Sequence, residues 1–177
     1  MQIQIKPIAS GHIVGFHAAV DAVAREGEYL VMTEAPAIAS TRRWVEGNIE
    51  RGISQYLAVE ADGGGGVIGW CDIIPDAHPG FEHCGRLGVG VLMSHRRKGV
   101  GRRLVSTTVE AARAFGLTRV ELEVFSSNQS AIHLYRELGF EHEGCRRRAR
   151  AIRRGGSLEY DDVLLMALLL NDPAQVR

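Results

Sequence analysis

The sequence predicts a mixed α/β fold: a central β-sheet of about seven strands flanked by helices on both faces. Three observations predict it. Strand-length segments that alternate or run apolar interleave with segments whose apolar residues recur at helical spacing, in the order β-α-α-β-β-β-α-β-α-β-β. The chain has 177 residues, which suits a single domain over 1–177, with no internal repeat or composition break to mark a second. It is 45% hydrophobic and 24% charged, too apolar for a disordered chain.

Ile3 and Ile5 alternate with Gln2, Gln4 and Lys6, a strand over 2–8 that Pro7 stops. Ser10 is placed to N-cap a helix running to about Glu26, with Ile13, Phe16, Ala19, Val20 and Val23 on one face. Residues 27–39 form a loop containing Pro36, after which Ser40 or Thr41 caps a second helix to about Glu50. Strands follow at 54–61 and 67–74, joined by a hairpin loop of Asp62 and Gly63 to Gly66. A turn-rich connection over 75–83 leads to a strand over 84–94. HRRKGVG then opens a helix to about Phe115, whose Val100, Leu104, Thr108, Ala111 and Ala112 share a face and whose end Gly116 marks. A strand over 118–125 and a short helix over 128–138 follow. A strand from Phe140 toward Arg148, an Arg- and Gly-rich hairpin and a last strand at about 158–169 complete the order.

Basic and acidic residues both number 21, so the formal net charge is zero. No global field draws the chain to nucleic acid or a membrane surface. Apart from Lys6 and Lys98 the basic residues are arginines, whose planar fork suits phosphate and carboxylate. Cys71, Cys84 and Cys145 are widely spaced and form no CxxC pair, which points to a reducing, cytoplasmic setting. MQIQIKPIAS lacks the apolar core of a signal peptide, and the longest apolar run, Val163 to Leu170, is too short to span a bilayer. No HExxH occurs, and FEHC and FEHEG lack ligand spacing, so no metal is expected.

The sharpest chemical signal is Arg96-Arg97-Lys98-Gly99-Val100-Gly101-Arg102, between an apolar strand and a helix. Its glycines leave backbone N–H groups uncovered at a helix N-terminus flanked by guanidiniums, an anion site suited to a pyrophosphate. It is not a P-loop, and Leu104 stands where a dinucleotide fingerprint needs its third glycine. The competing reading is a plain turn with two permissive glycines.

That string, with Val91 eight residues before Gly99, resembles the [QR]xxGx[GA] acetyl-coenzyme A signature of the GCN5-related N-acetyltransferases (GNAT). ELEVFSSNQSAIHLYRELGF, 121–140, resembles the family's second block: a strand, an Asn, then a helix that carries a Tyr and ends in LGF. Both blocks stand in the family's order and spacing over about 85–145. The resemblance implies a splayed sheet, in which the strand before the turn and the next strand part and the pantetheine arm of acetyl-coenzyme A inserts between them. It implies Val89, Val91 and Met93 as the cofactor wall. It places the pyrophosphate on the backbone of Arg97, Lys98, Gly99, Val100, Gly101 and Arg102, with Arg96 at the first signature position. Asn128 matches an Asn that contacts the cofactor arm and is equally a natural helix N-cap. Tyr135 matches the general acid that protonates the departing thiolate, and a phenol pKa of about 10 is close to a thiol's. The bland alternative for Tyr135 is a helix residue packed beside Ile132 and Leu138.

Glu123 lies five residues before Asn128 and resembles the proton acceptor of the ribosomal-protein alanine N-acetyltransferase branch. Strand parity puts Glu121 and Glu123 on one face, where a half-buried carboxylate has the raised pKa a base needs. A solvated or Arg-paired carboxylate is the alternative. Cys84-Gly85-Arg86-Leu87-Gly88 lacks the glutamate that many family members carry before the turn, so Glu82, His83, Asp72 and Glu34 stay open as bases. Residues 29–44 resemble amino-acid acetyltransferases of the phosphinothricin type, whereas 121–170 resemble the ribosomal branch. The acceptor therefore stays open between a small amine or amino acid and a peptide N-terminus. Arg146, Arg147, Arg148, Arg150, Arg153 and Arg154 form the densest charge run. They read as a site for an acidic acceptor or the cofactor's 3′-phosphate, as an RNA-facing patch, or as a solvated hairpin partly neutralised by Glu159, Asp161 and Asp162. No aromatics interleave from 141 to 159, and no nucleic-acid partner is expected. The implied reaction is direct attack of a primary amine on acetyl-coenzyme A in a ternary complex. The alternative is a non-catalytic acyl-coenzyme A-binding module, and a homodimer is left open.

Overall fold

The structure, a computed structural model, describes residues 2–61 and 65–170, so part of the expected hairpin loop, 62–64, lies outside the described residues. Seven strands and four α-helices are described: β1 Ile3–Pro7, α1 Ile13–Ala24, α2 Ile38–Glu50, β2 Ser54–Glu60, β3 Val67–Pro75, β4 Cys84–Val91, α3 Val100–Phe115, β5 Arg119–Phe125, α4 Gln129–Glu137, β6 Glu141–Arg154 and β7 Ser157–Leu169. The strands form one sheet in the order β1-β2-β3-β4-β5-β7-β6. Every neighbouring pair is antiparallel except β4 and β5.

Side-chain alternation divides the core. Cys71, Ile73, Leu87, Val120, Leu122 and Val124 point to one face, where the apolar stripe of α3 and the inner side of α4 cover them. Leu57, Val59 and Trp70 point to the other, against Ile13, Phe16, Val20 and Val23 of α1 and Val45 of α2. Phe16 meets Trp70 edge-on at 6.0 Å and stacks on Trp44 at 6.1 Å, favoured arrangements of aromatic quadrupoles. Each large side chain buried in this way contributes about 1.5–3 kcal/mol.

Four boundaries differ from the sequence reading. Ser10 does not cap α1: Ser10–His12 form a 3₁₀ turn in which the His12 Nδ1 accepts the Ala9 N–H at 3.0 Å. α2 starts at Ile38, ahead of Ser40 and Thr41, because its buried stripe Thr41, Val45, Asn48 runs back into the first turn beyond Pro36. β4 ends at Val91, and Met93 sits in a second 3₁₀ turn. β6 and β7 extend further than expected, as a long ladder closed by Gly155 and Gly156, both with positive φ.

β4 pairs with β5 only through Cys84–Arg86 against Arg119–Glu121. From Leu87 to Val91 its only ladder partner is β3. The sheet is therefore open between β4 and β5 beyond Arg86, as the family resemblance implies.

Candidate active site

The opening has a wall, a mouth and two rims. On the wall, Val89 and Val91 point into the α3/α4 core and are partly buried. Met93 is 69% exposed, because its 3₁₀ turn leaves the strand's two-residue period. The edge of β4 from Leu87 to Val91 presents backbone donors and acceptors toward β5 that no ladder consumes.

At the mouth, Gly99 takes a left-handed conformation, φ 77°, and starts α3 without a side-chain cap. Arg97 is also left-handed, φ 62°. Such a sequence of conformations turns successive N–H groups outward into an anion-binding concavity. The first α3 bond from this turn is Arg103 N–H to the Gly99 carbonyl, 3.2 Å, so the N–H groups of Val100, Gly101 and Arg102 precede the ladder. The basic side chains hold the turn rather than face its mouth. Arg96 donates to the Val91 carbonyl at 2.8 Å and to Glu26 at 2.7 Å, and lies 4.7 Å from the Tyr29 ring centroid. Arg97 donates to Ser130 Oγ at 2.8 Å, Lys98 donates to the Ser94 carbonyl at 2.7 Å, and Arg102 pairs with Glu137.

The rim on the α4 side carries Tyr135. Its ring is 6% exposed and packs 5.7 Å from Phe140. Burial, and then the neighbouring Cys71 thiol, push its pKa above the usual phenol range, so it is protonated at neutral pH. Asn128 is the N-cap of α4, with Oδ1 accepting the Ala131 N–H at 3.2 Å. The turn before it is fixed by Asp161, which accepts from the Ser126 and Ser127 hydroxyls and from the Ser127 N–H at 3.1 Å. Burial opposes the charge on Asp161, but these bonds hold its pKa below the ordinary value.

The rim on the α1/α2 side holds Asp72, one of the bases the sequence left open, together with Gln55, which the sequence did not single out. Asp72 is half-buried between its register partners Gln55 of β2 and Gly88 of β4. A Cβ at Gly88 would stand 3.1 Å from Asp72 Oδ1, and one at Gly90 would overlap the Trp70 indole. Glycine at alternate positions of β4 thus leaves one face of the strand bare, and β3 side chains lean over it. The period-two Gly88-Val89-Gly90 was the available signal. Arg150 closes the same side. A register shift between Arg146 and Arg150, with Arg148 left-handed at φ 52°, re-aims the strand. Arg150 then donates to the Gly27 carbonyl and, at 2.9 Å, to the Glu28 carbonyl, and lies 4.2 Å from the Phe125 centroid. The hairpin of β6 and β7 is thereby tied to the loop between α1 and α2.

Glu123 is not half-buried. It is exposed, ion-paired with Arg146, and lines a hollow of about 180 Å³ with Arg86, Glu121, Glu143 and Leu165. Among the other bases considered, Glu82 is exposed and accepts the Gly80 N–H at 2.8 Å. His83 contacts Cys84 Sγ at 3.3 Å, and Glu34 is 70% exposed beside Arg25. Of the arginine run, Arg146 and Arg150 are committed as described and Arg148 lies 4.0 Å from the Tyr160 ring centroid. No group of three metal-ligating side chains occurs among the described residues.

The model of the Acetyltransferase (GNAT) family matches residues 11–140. An L-methionine sulfoximine/L-methionine sulfone acetyltransferase of Pseudomonas aeruginosa is 32% identical over 117 residues, 64% of this chain and 66% of that protein. The match thus spans just under two thirds of that relative. The L-amino acid N-acetyltransferase AaaT of Escherichia coli is 32% identical over 131 residues, 72% of this chain and 76% of that protein. The N-alpha-acetyltransferase RimI of Mycobacterium tuberculosis is 37% identical over 91 residues, 51% of this chain and 55% of that protein. Among solved structures, yncA of Salmonella typhimurium, a putative acetyltransferase with its cofactor acetyl-CoA, superposes with a TM-score of 0.86 at 20% identity over 97% of this chain and 96% of that chain. A phosphinothricin acetyltransferase of Sinorhizobium meliloti in complex with AcCoA gives 0.85 at 19% identity over 96% of this chain and 89% of that chain.

Proposed function

Because the chain belongs to the Acetyltransferase (GNAT) family, we propose that it is a single-domain N-acetyltransferase over 1–177 that moves the acetyl group of acetyl-coenzyme A to a primary amine. The observation that carries this is the opening of β4 from β5 beside an uncapped, glycine-bearing helix start. The residues present fit the cofactor. The edge of Leu87–Val91, apart from the Val91 carbonyl that Arg96 holds, is unpaired toward β5 and matches an arm that carries amides, and the N–H groups of the turn from Arg97 to Arg102 match a diphosphate. Val89 and Val91 would supply the wall, with Met93 at its outer end, and Asn128, which caps α4, would be the residue to contact the arm. Bound there, acetyl-coenzyme A supplies an acyl group already activated as a thioester.

The chain's residues would act as follows. Backbone donors of β4 orient and polarise the acyl carbonyl. Tyr135 delivers a proton to the departing sulfur, and its burial excludes competing water. For the base, family position nominates Glu123. Arg146 occupies that carboxylate, and the position of Asp72 supports the rival developed below.

L-amino acids are the acceptors we propose, supported by the names of the relatives with the longest matches. A peptide N-terminus is the second reading, supported by the RimI match. The non-catalytic module has no observation in its favour. The three unpaired cysteines favour the cytoplasm, and among the described residues no helix is long and apolar enough to cross a membrane. The test is release of free coenzyme A thiol across a panel of L-amino acids, simple amines and short peptides. Turnover on L-amino acids is expected. Acetyl-coenzyme A that binds but is not consumed with any amine would sink the transferase reading.

A further inference from the structure

Resting on the transferase reading above, we propose that Asp72 takes the proton from the acceptor's ammonium group, and that the buried Gln55 Oε1 is a positioning acceptor that orients the proton-bearing form of Asp72.

Three features of the site carry this. Asp72 sits directly across from Gln55 and Gly88 in the two ladders, and such cross-strand side chains stand about 5 Å apart. Its carboxyl fills the space over Gly88, two positions past Arg86, where β4 has already parted from β5. Gln55 is 3% exposed and its Oε1 has no donor among the described residues. Asp72 likewise has no hydrogen-bond or ion-pair partner among them. Two acceptors without a donor on adjoining positions match a group that only donates. An ammonium has three N–H bonds and no lone pair. A protonated Asp72 carboxyl matches the Gln55 oxygen in the same way once the proton has moved.

The charged groups of the surrounding elements are engaged elsewhere. Asp21 of α1 holds Arg25 at 2.7 Å, and Glu26 in the following loop holds Arg96 at 2.7 Å over Tyr29. Arg86 of β4 faces Glu121 of β5 at 4.0 Å, Glu123 holds Arg146, and Arg150 holds two loop carbonyls. Burial alone therefore acts on Asp72, and pushes its carboxyl up to about 7. That suits a base that must take and return a proton near neutral pH. Cys71, the preceding residue, points to the opposite face and influences Tyr135. Base and acid thus address the two sides of one strand pair.

The protons balance. An acceptor N–H bond breaks and an O–H bond forms on Asp72, which passes the proton to water. The freed nitrogen lone pair bonds to the acetyl carbon as the carbon–sulfur bond breaks. Sulfur keeps that electron pair and receives the Tyr135 proton. The second proton lost by nitrogen balances the one Tyr135 recovers from solvent, so each turnover releases one proton.

The experiment is the pH profile of kcat/KM from pH 5.5 to 9.5 with the best acceptor of the amino-acid panel, for wild type, Asp72→Asn, Gln55→Glu and Glu123→Gln, with acetyl-coenzyme A affinity measured separately as a report on folding. Asp72→Asn is expected to lose about 100-fold at pH 7, with a loss that shrinks as pH rises and free amine accumulates. Its acetyl-coenzyme A affinity should stay within about twofold, since Asp72 touches only the acceptor side. Gln55→Glu should move the lower limb up by about one pH unit, because a second carboxyl beside Asp72 disfavours its charge; a merely structural Gln55 would leave that limb in place. Glu123→Gln should change little at any pH. Asp72→Asn matching an active wild type, or a pH-independent loss, overturns the assignment of Asp72 and leaves the transferase reading standing. So does a pH-dependent loss in Glu123→Gln with none in Asp72→Asn. A wild type that releases no coenzyme A with any amine overturns both.

Discussion

The two rims of the opening between β4 and β5 are built differently. On the cofactor side, the turn from Arg96 to Arg102 and the block from Ser126 to Tyr135 are each continuous in sequence; each makes local bonds, and Glu26, Glu137 and Asp161 brace them from elsewhere. On the acceptor side, Gln55, Asp72 and Gly88 come from three strands and only sheet register brings them together, while a bulge in a fourth turns Arg150 toward the loop after α1. A diphosphate can be gripped by backbone at one helix start. An acceptor must be recognised by side chains converging from distant places. The cofactor side is thus a motif, and the acceptor side is a consequence of the whole fold.

The substitution expected to do most separates the two rims directly. Tyr135→Phe should lower kcat by about 10²- to 10³-fold while the acetyl-coenzyme A Kd, measured by calorimetry, stays within about twofold; weakened binding without a kcat defect would make Tyr135 a packing residue. Gly90→Ala comes next. Its new methyl meets the Trp70 ring, and such overpacking costs about 1–3 kcal/mol in a denaturant titration. An unchanged midpoint would show that the bare face of β4 has slack.

The third reads stability against pH. The Asp72 pKa lies above its unfolded value of 3.8, at about 7. Its contribution to stability is complete below about pH 4 and is lost as pH rises through 7. Asp72→Asn should therefore raise Tm at pH 8 and not at pH 4, by the equivalent of about 1–2 kcal/mol once solvent access to a half-buried carboxyl is allowed for. Equal Tm shifts at both pH values would mean that the carboxyl is charged without penalty. The smallest effect is assigned to Arg150→Ala. It should raise the acceptor KM about threefold to tenfold, the scale of one ordinary hydrogen bond, and leave cofactor affinity alone. A cofactor defect instead would place the hairpin on the other rim.

The same contrast explains what could be read in advance. Element order, the glycine turn and the Asn128 cap were legible, because each depends on neighbours within about one helical turn or on a contiguous motif; the parting of the strands was implied only by the family resemblance. Ser10 was misread as a cap because His12 takes the Ala9 N–H in a competing 3₁₀ turn. Glu123 looked half-buried because strand parity gives a face and not a partner, and Arg146 reaches it from another strand. Asp72 was one of several open bases, and the alternating glycines of the neighbouring strand were the one sign of its setting. Its character depends on having Gln55 on one side and a missing side chain on the other, and those positions are set by two ladder registers that sequence alone does not supply.

The glycines of β4 have a last consequence. With nothing projecting from Gly88 or Gly90 on that side, the contour an incoming amine meets is drawn by the strand next door. Acceptor preference can then drift through changes in β3 while the strand gripping the thioester carrier keeps its shape. Chains that share one chemistry but serve different amines could diverge at that second strand first.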